Sequence, residues 1–182
     1  MRYEKTITLK NGDSCLLRTA EGYDAKAVCK IFQKTHEETD FLLTYPEESK
    51  MTEESERIFL EDRAQSDRAV ELCAFVNGHL SGFAGISTVA EKEKVRHRAE
   101  FGISVEKAYW GLGIGGALTR ACIQCAKTAG YSQLELEVVG ENSRAISLYE
   151  KAGFREYGRN PRGFRSRFTG WQEVILMRLE LD

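Results

Sequence analysis

Four glycines stand within six residues near the middle of the chain, a density that suits a phosphate-binding turn. The run consists of Gly111, Leu112, Gly113, Ile114, Gly115 and Gly116. Glycine has no Cβ, so successive backbone N–H groups can converge on one anion. The helical pattern that begins at this run adds the partial positive charge of a helix N-terminus. The run is therefore expected to hold a pyrophosphate with backbone groups, although a tight turn without a ligand would use the same glycines.

The same glycines satisfy the G-x-G-x-x-G pattern of a dinucleotide-binding turn, and Glu135 follows Gly111 by 24 residues. In that fold the first glycine comes directly after a strand, whereas residues 106–110 intervene here. Only 66 residues follow Gly116, and they offer one crossover helix and two strands that look antiparallel. Several further βα units are typical of a dinucleotide-binding domain. A dinucleotide-dependent oxidoreductase is therefore disfavoured.

Strand and helix patterns alternate along the whole chain without a linker rich in Pro, Gly or Ser, which indicates one domain, residues 1–182. Strand patterns cover residues 3–9, 14–18, 70–76, 80–87, 99–105, 134–139, 154–158 and 171–181. Helical patterns begin after Asp24, after Thr52, at Ile114 and after Asn142. Asn-Gly pairs at residues 11–12 and 77–78 predict two hairpin turns. The predicted architecture is a mixed α+β sheet.

Two motifs resemble those of the GCN5-related N-acetyltransferases. The strand at residues 101–105, followed by Tyr109, Trp110 and the glycine run, looks like that family's acetyl-CoA-binding motif. The second motif comprises Asn142, Ala145, Ile146, Leu148, Tyr149, Glu150, Lys151, Gly153 and Phe154. The resemblance is specific over residues 99–158 and topological over residues 1–98, and it favours the branch of ribosomal-protein and polyamine acetyltransferases. It implies one mostly antiparallel central sheet flanked by about four helices.

The resemblance also implies a role for each matching position. Backbone groups of Ile103 and Val105, with Ser104 between them, would bind the pantetheine arm of acetyl-CoA like an added strand. The strands that carry Val105 and Leu136 would part to admit it. The glycine run would hold the pyrophosphate, and Asn142 and Ala145 would contact the cofactor arm. Trp110 departs from the Gln or Arg usual in the family, which affects one side-chain contact and leaves the backbone cradle intact.

Acetyl transfer to an amine requires a neutral amine, an anchored thioester and a proton donor for the departing thiolate. The resemblance assigns the donor role to Tyr149, whose phenol, with an ordinary pKa of ~10, can protonate a thiolate. A tyrosine on the apolar stripe of a helix can equally be a core residue. Glu100 is the first candidate for the base and Glu137 the second, and a water relay would make either indirect. Glu100 can also be a solvated strand-edge carboxylate.

Composition excludes other classes. The net charge of −2 provides no basic field for nucleic acid. No apolar run approaches the ~18 residues of a membrane span, and no signal-peptide core precedes residue 20. The five cysteines are odd in number and all but the last two are scattered, which suits free thiols in the cytoplasm. Cys122 and Cys125 could be half of a metal or redox site, but both lie on the apolar stripe of the third helix, so core packing and no metal are expected.

Two charged segments offer hints about partners. Residues 37–62 carry ten acidic and two basic residues, which would attract a cationic amine or polyamine if they border the acceptor cleft, or simply form a solvated helix face. Residues 159–167 form a predicted loop in which basic residues alternate with aromatic ones; its arginines are Arg159, Arg162, Arg165 and Arg167. An exposed hairpin is favoured over a contact with RNA or an acidic acceptor.

The sequence therefore predicts an N-acetyltransferase that forms a ternary complex with acetyl-CoA and a small-molecule or peptide amine. A protein N-terminus, a polyamine, an amino acid and an antibiotic amine all remain open as acceptors. A catalytically silent acetyl-CoA-binding module is the alternative. Edge strands make a homodimer plausible.

Overall fold

The computed structural model describes residues 1–181, which build one eight-stranded sheet with two helices on each face. The strands are β1 (Glu4–Thr8), β2 (Ser14–Thr19), β3 (Val70–Val76), β4 (His79–Thr88), β5 (Arg98–Val105), β6 (Gln133–Val139), β7 (Arg155–Ser166) and β8 (Gly170–Glu180). The helices are α1 (Ala25–Glu38), α2 (Glu53–Gln65), α3 (Ile114–Thr128) and α4 (Ser143–Lys151). The spatial order of the strands is β1-β2-β3-β4-β5-β6-β8-β7. The expected α+β fold with a mostly antiparallel sheet and four helices is confirmed.

Local sequence signals place the ends of several elements. Asn77 and Gly78 both have positive φ, 50° and 79°, as the tight turn between β3 and β4 requires. The Thr52 side chain accepts a hydrogen bond from the Ser55 N–H, so α2 begins where the capping pattern predicts. Asp24 precedes α1 as expected, but its carboxylate accepts hydrogen bonds from Arg18 instead of from the helix.

The alternation of side chains along each strand divides the interior into two cores. Even-numbered residues of β3, such as Leu72, pack with α3 and the glycine run in the larger core. Odd-numbered residues of β3, such as Cys73, pack with α1 and α2 in the smaller one. The face of the sheet that carries α1 and α2 is therefore distinct from the face that carries α3 and α4. We call them the α1/α2 face and the α3/α4 face.

The strands β5 and β6 form the one parallel pair in the described sheet, and they pair only at their beginnings. The register joins Arg98 to Gln133, Ala99 to Leu134 and Glu100 to Glu135, and then it stops. Beyond Glu100 both strands continue, so a gap opens between them in the centre of the sheet. We call it the β5–β6 gap; the sequence analysis expects such a separation beside Val105 and Leu136.

The prediction of a loop at residues 159–167 is wrong, because β7 extends through Ser166. Its signal was hidden by Pro161 and by two register irregularities, at residues 156–158 and 160–164. Three of the four arginines of this segment are used within the hairpin: Arg159 pairs with Glu156 and Glu173, and Arg162 and Arg165 lie over the ring of Trp171. Arg167 instead pairs with Glu47 and lies over the ring of Tyr45, both in the connection between α1 and α2.

Candidate active site

The edge of β5 offers unpaired backbone groups to the β5–β6 gap. Glu106 donates its N–H to the Ser81 carbonyl of β4 at 3.0 Å, so the even-numbered residues of β5 direct their backbone groups towards β4. In an antiparallel pair the intervening residues turn the other way. The backbone groups of Ile103 and Val105 therefore face the gap, as an added strand requires. Ser104 bonds towards β4 and offers only its half-buried side chain, on the α1/α2 face.

Trp110 binds to the end of this edge. Its indole Nε1–H donates to the Val105 carbonyl at 2.7 Å, and the Arg144 guanidinium of α4 lies 4.7 Å from its ring centre. The indole thus ties the connection after β5 back onto the strand. Consequently, only the Val105 N–H remains free at that residue, while Ile103 offers both of its backbone groups.

The glycine run forms a cradle of free N–H groups. Gly111 and Gly113 have φ of +82° and +109°, a conformation that disfavours side chains, and a Cβ at either would meet no atom within 4 Å. Within residues 1–181, the N–H groups of Gly111, Gly113 and the first turn of α3 (Ile114, Gly115 and Gly116) donate to no other group. Leu112 turns its carbonyl away, to the Lys10 N–H. Five convergent donors in front of a helix N-terminus fit a pyrophosphate.

Asn142 caps α4 at the mouth of the β5–β6 gap. Its Oδ1 accepts the Ala145 N–H at 3.2 Å, and its own N–H donates to the Val139 carbonyl at the end of β6. The Ala145 N–H is therefore used inside the protein. The side-chain nitrogen of Asn142, Nδ2, stays available to a ligand.

Tyr149 lies in the wall between α4 and the gap. It is 8% exposed and packs edge-on against Phe101, with ring centres 6.1 Å apart, and against Phe154. Its hydroxyl has no hydrogen-bond partner within the described chain. Burial raises the pKa of Tyr149 well above its usual value, so the phenol stays protonated and can donate. The same shift makes complete proton transfer to a thiolate harder than for a solvated phenol.

Glu100 and Glu137 flank the start of the gap on the α1/α2 face, opposite Tyr149. Both side chains are exposed, and neither forms an ion pair in residues 1–181. The neighbouring Glu135 is held by Arg98, through Nε at 2.5 Å and Nη2 at 2.7 Å. Glu137 lies further into the opened segment than Glu100, because the last joined pair is Glu100 with Glu135. Two free carboxylates therefore stand on one side of the gap and one phenol on the other.

The sequence analysis missed a buried carboxylate that follows β5. Glu106 is 3% exposed and accepts hydrogen bonds from Lys34 of α1 and from His79 Nε2 at 2.8 Å. Desolvation acts to raise the pKa of Glu106, but the hydrogen bonds from His79 and Lys34 outweigh it, and the net shift is downward. The sequence holds no local signal for this cluster, since its members lie 27 and 72 residues from Glu106.

A second missed feature is a bridge between the α1–α2 loop and the β7–β8 turn. Asp40 Oδ2 accepts hydrogen bonds from Ser166 at 2.6 Å and from Thr169 and Gln172 at 3.2 Å. The Tyr45 hydroxyl accepts the Arg167 N–H at 2.8 Å. These contacts, here called the Asp40 bridge, hold the acidic segment 37–62 across the α1/α2 face. Part of that segment therefore borders the side of the gap that carries Glu137.

A shallow groove of about 360 Å³ lies on the same face, where β5 and β6 still pair. Arg98 and Arg178 line it together with Lys94, His97, Glu135 and Tyr157. Arg178 is paired with Glu180 at 3.1 Å. The groove is thus more basic than the neighbouring opening of the gap.

Other observations concern metals, thiols and membranes. Among residues 1–181, no group of three or more His, Cys, Asp and Glu is placed to hold a metal ion. Cys122 and Cys125 are buried in the core, and burial raises the pKa of Cys125 to about 11, so these thiols are packing residues. No helix in the described chain has the length and apolar character needed to cross a membrane.

Comparison with known proteins identifies the class. The model of the acetyltransferase (GNAT) family matches residues 27–154. The ribosomal protein bS18 alanine N-acetyltransferase of Escherichia coli is 30% identical over 128 residues, which are 70% of this chain and 81% of that protein. The L-amino acid N-acetyltransferase AaaT of Escherichia coli is 28% identical over 144 residues, 79% of this chain and 84% of AaaT.

A solved acetyltransferase of the GNAT family from Streptococcus pneumoniae aligns with a TM-score of 0.87 at 32% identity, covering 92% of this chain and 99% of that one. The chain therefore belongs to the GNAT family. It is an acetyl-CoA-dependent N-acetyltransferase, and acetyl-CoA is its cosubstrate. The free edge of β5 and the glycine cradle fit the pantetheine and pyrophosphate of that molecule.

Proposed function

We propose that this enzyme acetylates the primary amine of a small cationic molecule by direct attack within a ternary complex. The observation that carries the proposal is the β5–β6 gap with free carboxylates on one side and Tyr149 on the other. The pantetheine arm would lie along Ile103 and Val105, and the glycine cradle would hold the pyrophosphate. The thioester would then be presented between Glu137 and Tyr149.

The chemistry balances with these groups. Glu100 or Glu137, directly or through water, takes a proton from the acceptor ammonium, and the neutral amine attacks the thioester carbon. The C–N bond forms as the C–S bond breaks, and the Tyr149 hydroxyl donates its proton to the departing sulfur. The second proton of the attacking nitrogen then returns, through water, to the Tyr149 oxygen, which leaves a neutral amide, free CoA thiol and a reprotonated tyrosine. Because a thioester is already activated, no covalent intermediate on the protein is needed. A positioned acid or base contributes about 10²–10⁴-fold to such a rate.

The acceptor preference rests on charge. The unpaired Glu100 and Glu137, together with the acidic segment held by the Asp40 bridge, favour a cation at this opening. A second candidate is an L-amino acid, because Arg98 and Arg178 line the adjacent groove and could bind a carboxylate with the N–H groups that their pairs with Glu135 and Glu180 leave free. The relative AaaT is named for that reaction.

The test is release of CoA, detected as free thiol, across monoamines, diamines, amino acids and a peptide N-terminus. Turnover on cationic amines would support the proposal, and turnover on amino acids alone would replace it with the second candidate. Tyr149→Phe is expected to lower kcat about tenfold or more. Comparison of Glu100→Gln with Glu137→Gln identifies the base. No release on any amine, while acetyl-CoA still raises Tm, would instead indicate a silent binding module.

We also propose that residues 1–182 form one domain located in the cytoplasm and that the chain forms a homodimer. The continuous sheet supports the first, the five free thiols support the location, and the exposed edge strands β1 and β7 support the dimer. Sedimentation at micromolar concentration gives the oligomeric state, and a monomer there contradicts the dimer.

A further inference from the structure

Two carboxylates without partners meet on the α1/α2 face, away from the residues discussed as bases. Glu56 lies on the sheet-facing stripe of α2 with Leu60 and Ala64, and it is only 6% exposed. Glu71 is half-buried on the α1/α2 face of β3, the strand against which α2 packs. Within residues 1–181 neither carboxyl group has a hydrogen bond or an ion pair, and the charge of Glu56 acts on Glu71.

Two glycines on adjacent strands lie between this pair of carboxylates and the β5–β6 gap. The register places Glu71 beside Gly85, and Gly85 beside Gly102, all on the α1/α2 face. The Glu71 carboxylate lies over Gly85, where any Cβ would collide with it. At Gly102 a Cβ would meet no atom within 4 Å, so the space above it is open. We call this path, from Glu71 across Gly85 and Gly102, the acidic trough.

The dimensions of the trough suit a short chain. Paired strands lie about 4.8 Å apart, so the Cα atoms of Glu71 and Gly102 are about 10 Å apart. Because the Glu71 carboxylate leans over Gly85, it ends about one strand spacing from Gly102. That separation is too long for Glu71 to remove the proton of the reacting amine, which must lie in the gap beyond β5. It suits a second charged group on the same acceptor.

Burial of two unpaired carboxylates is costly unless a cation compensates them. Burial, together with the charge of Glu56, raises the pKa of Glu71 to about 8, and burial also raises that of Glu56. The cation whose charge acts on Glu71 is Arg63 of α2, which stacks on Phe59 at 4.7 Å and makes no ion pair with Glu71 or Glu56. The cluster therefore lacks the internal partner that Asp24 and Glu135 possess.

We propose that Glu71, with Glu56 behind it, binds the second cationic group of the acceptor, so that the preferred acceptor is a short aliphatic diamine. The inference rests on the proposed function and deepens it. One amine would lie at the gap between Glu137 and Tyr149. The other would lie in the trough against Glu71, where its positive charge would displace the proton that burial otherwise keeps on that carboxyl group.

The experiment compares putrescine with n-butylamine, which share one four-carbon chain and differ by the second amine. Wild-type kcat/KM is expected to favour putrescine by about tenfold or more, the effect of ~1.4 kcal/mol of charge-assisted binding. Glu71→Gln is expected to abolish that preference, chiefly through a lower kcat/KM for putrescine. Glu56→Gln should reduce the preference, and Glu4→Gln, an exposed carboxylate on β1, should leave it intact.

Equal kcat/KM for the two acceptors in the wild type would overturn the proposal, as would a Glu71→Gln loss of the same size on both. Thermal unfolding of each variant reports whether it is folded. If no amine in the panel is acetylated, the proposed function has failed, and the trough is then judged by calorimetry. Binding of putrescine to the wild type in the presence of CoA, lost in Glu71→Gln, would support the proposed role of Glu71. Absence of binding to the wild type would refute it.

Discussion

The Asp40 carboxylate accepts a 2.6 Å hydrogen bond from the Ser166 hydroxyl, although 126 residues separate them in the sequence. Asp40 follows α1, and Ser166 ends β7, at opposite margins of the β5–β6 gap. Ser166 also accepts the N–H groups of Phe168 and Thr169, so the same hydroxyl shapes the β7–β8 turn. The bond thus fixes the position of the α1–α2 loop over the acceptor side of the gap.

Asp40→Ala is expected to raise the KM for the amine several-fold and to leave the KM for acetyl-CoA nearly unchanged. The substitution removes three hydrogen bonds to one carboxylate and frees the loop, whereas the cofactor edge of β5 lies outside the bridge. Hydrogen bonds to a charged group contribute about 1.5–3 kcal/mol to the free energy of unfolding, and urea unfolding should show a loss of that order. Thr169→Val removes only one of the two 3.2 Å bonds to Asp40 and serves as the milder control. An equal rise in both KM values would contradict this role.

The sequence predicts local structure best where the residues that determine it are neighbours in the chain. Thr52 starts α2, Asn77-Gly78 makes a hairpin turn, and the glycine run precedes α3, because capping and positive φ are local requirements. The bridge at Asp40 and the pair of Glu56 with Glu71 could not be foreseen. Each depends on which helix lies over which strand, a relation set by packing between distant segments. The first part of β7 was predicted, at residues 154–158, but its continuation to Ser166 was missed because Pro161 interrupts the pattern.

Trp110→Phe is expected to raise the KM for acetyl-CoA about fivefold with little change in kcat. Phenylalanine keeps the ring but loses the Nε1–H that holds the Val105 carbonyl at 2.7 Å. One such hydrogen bond contributes about 1 kcal/mol, and its loss frees the connection between β5 and the glycine cradle. Trp171→Phe, the same substitution at the half-exposed tryptophan of β8, should have no effect on either constant. A fall in the KM of Trp110→Phe would show instead that the freed carbonyl binds the pantetheine arm.

Glu71→Gln is expected to make the protein more stable at pH 8 and to flatten the dependence of Tm on pH. The folded-state pKa of Glu71 is about 8, raised by burial and by Glu56, so the folded protein keeps a proton that the unfolded chain releases above pH ~4.3. The stability contributed by the protonated Glu71 carboxyl group is therefore fully present below pH ~4.3, and it is lost as the pH rises from there through about 8. The variant should gain roughly 2–4 °C in Tm at pH 8 for each ~1 kcal/mol removed, measured by calorimetry between pH 5 and 9. Parallel curves for wild type and variant would show that Glu71 does not titrate in this way.

Glu106→Gln is expected to lower the free energy of unfolding at neutral pH. The loss should be smaller at acidic pH. His79 and Lys34 hold the pKa of Glu106 below its ordinary value despite burial, so its contribution is present above the unfolded pKa of ~4.3 and is lost as the pH falls through the folded value. Both partners are about half exposed, which limits the expected loss to about 1–3 kcal/mol in urea unfolding at pH 7. Since Lys34 belongs to α1 and Glu106 directly follows β5, the variant should also raise the KM for the amine. His79→Gln keeps a donor to Glu106 and is expected to retain most of the stability. A Glu106→Gln protein as stable as the wild type at pH 7 would show that the cluster does not anchor α1 to the cofactor strand.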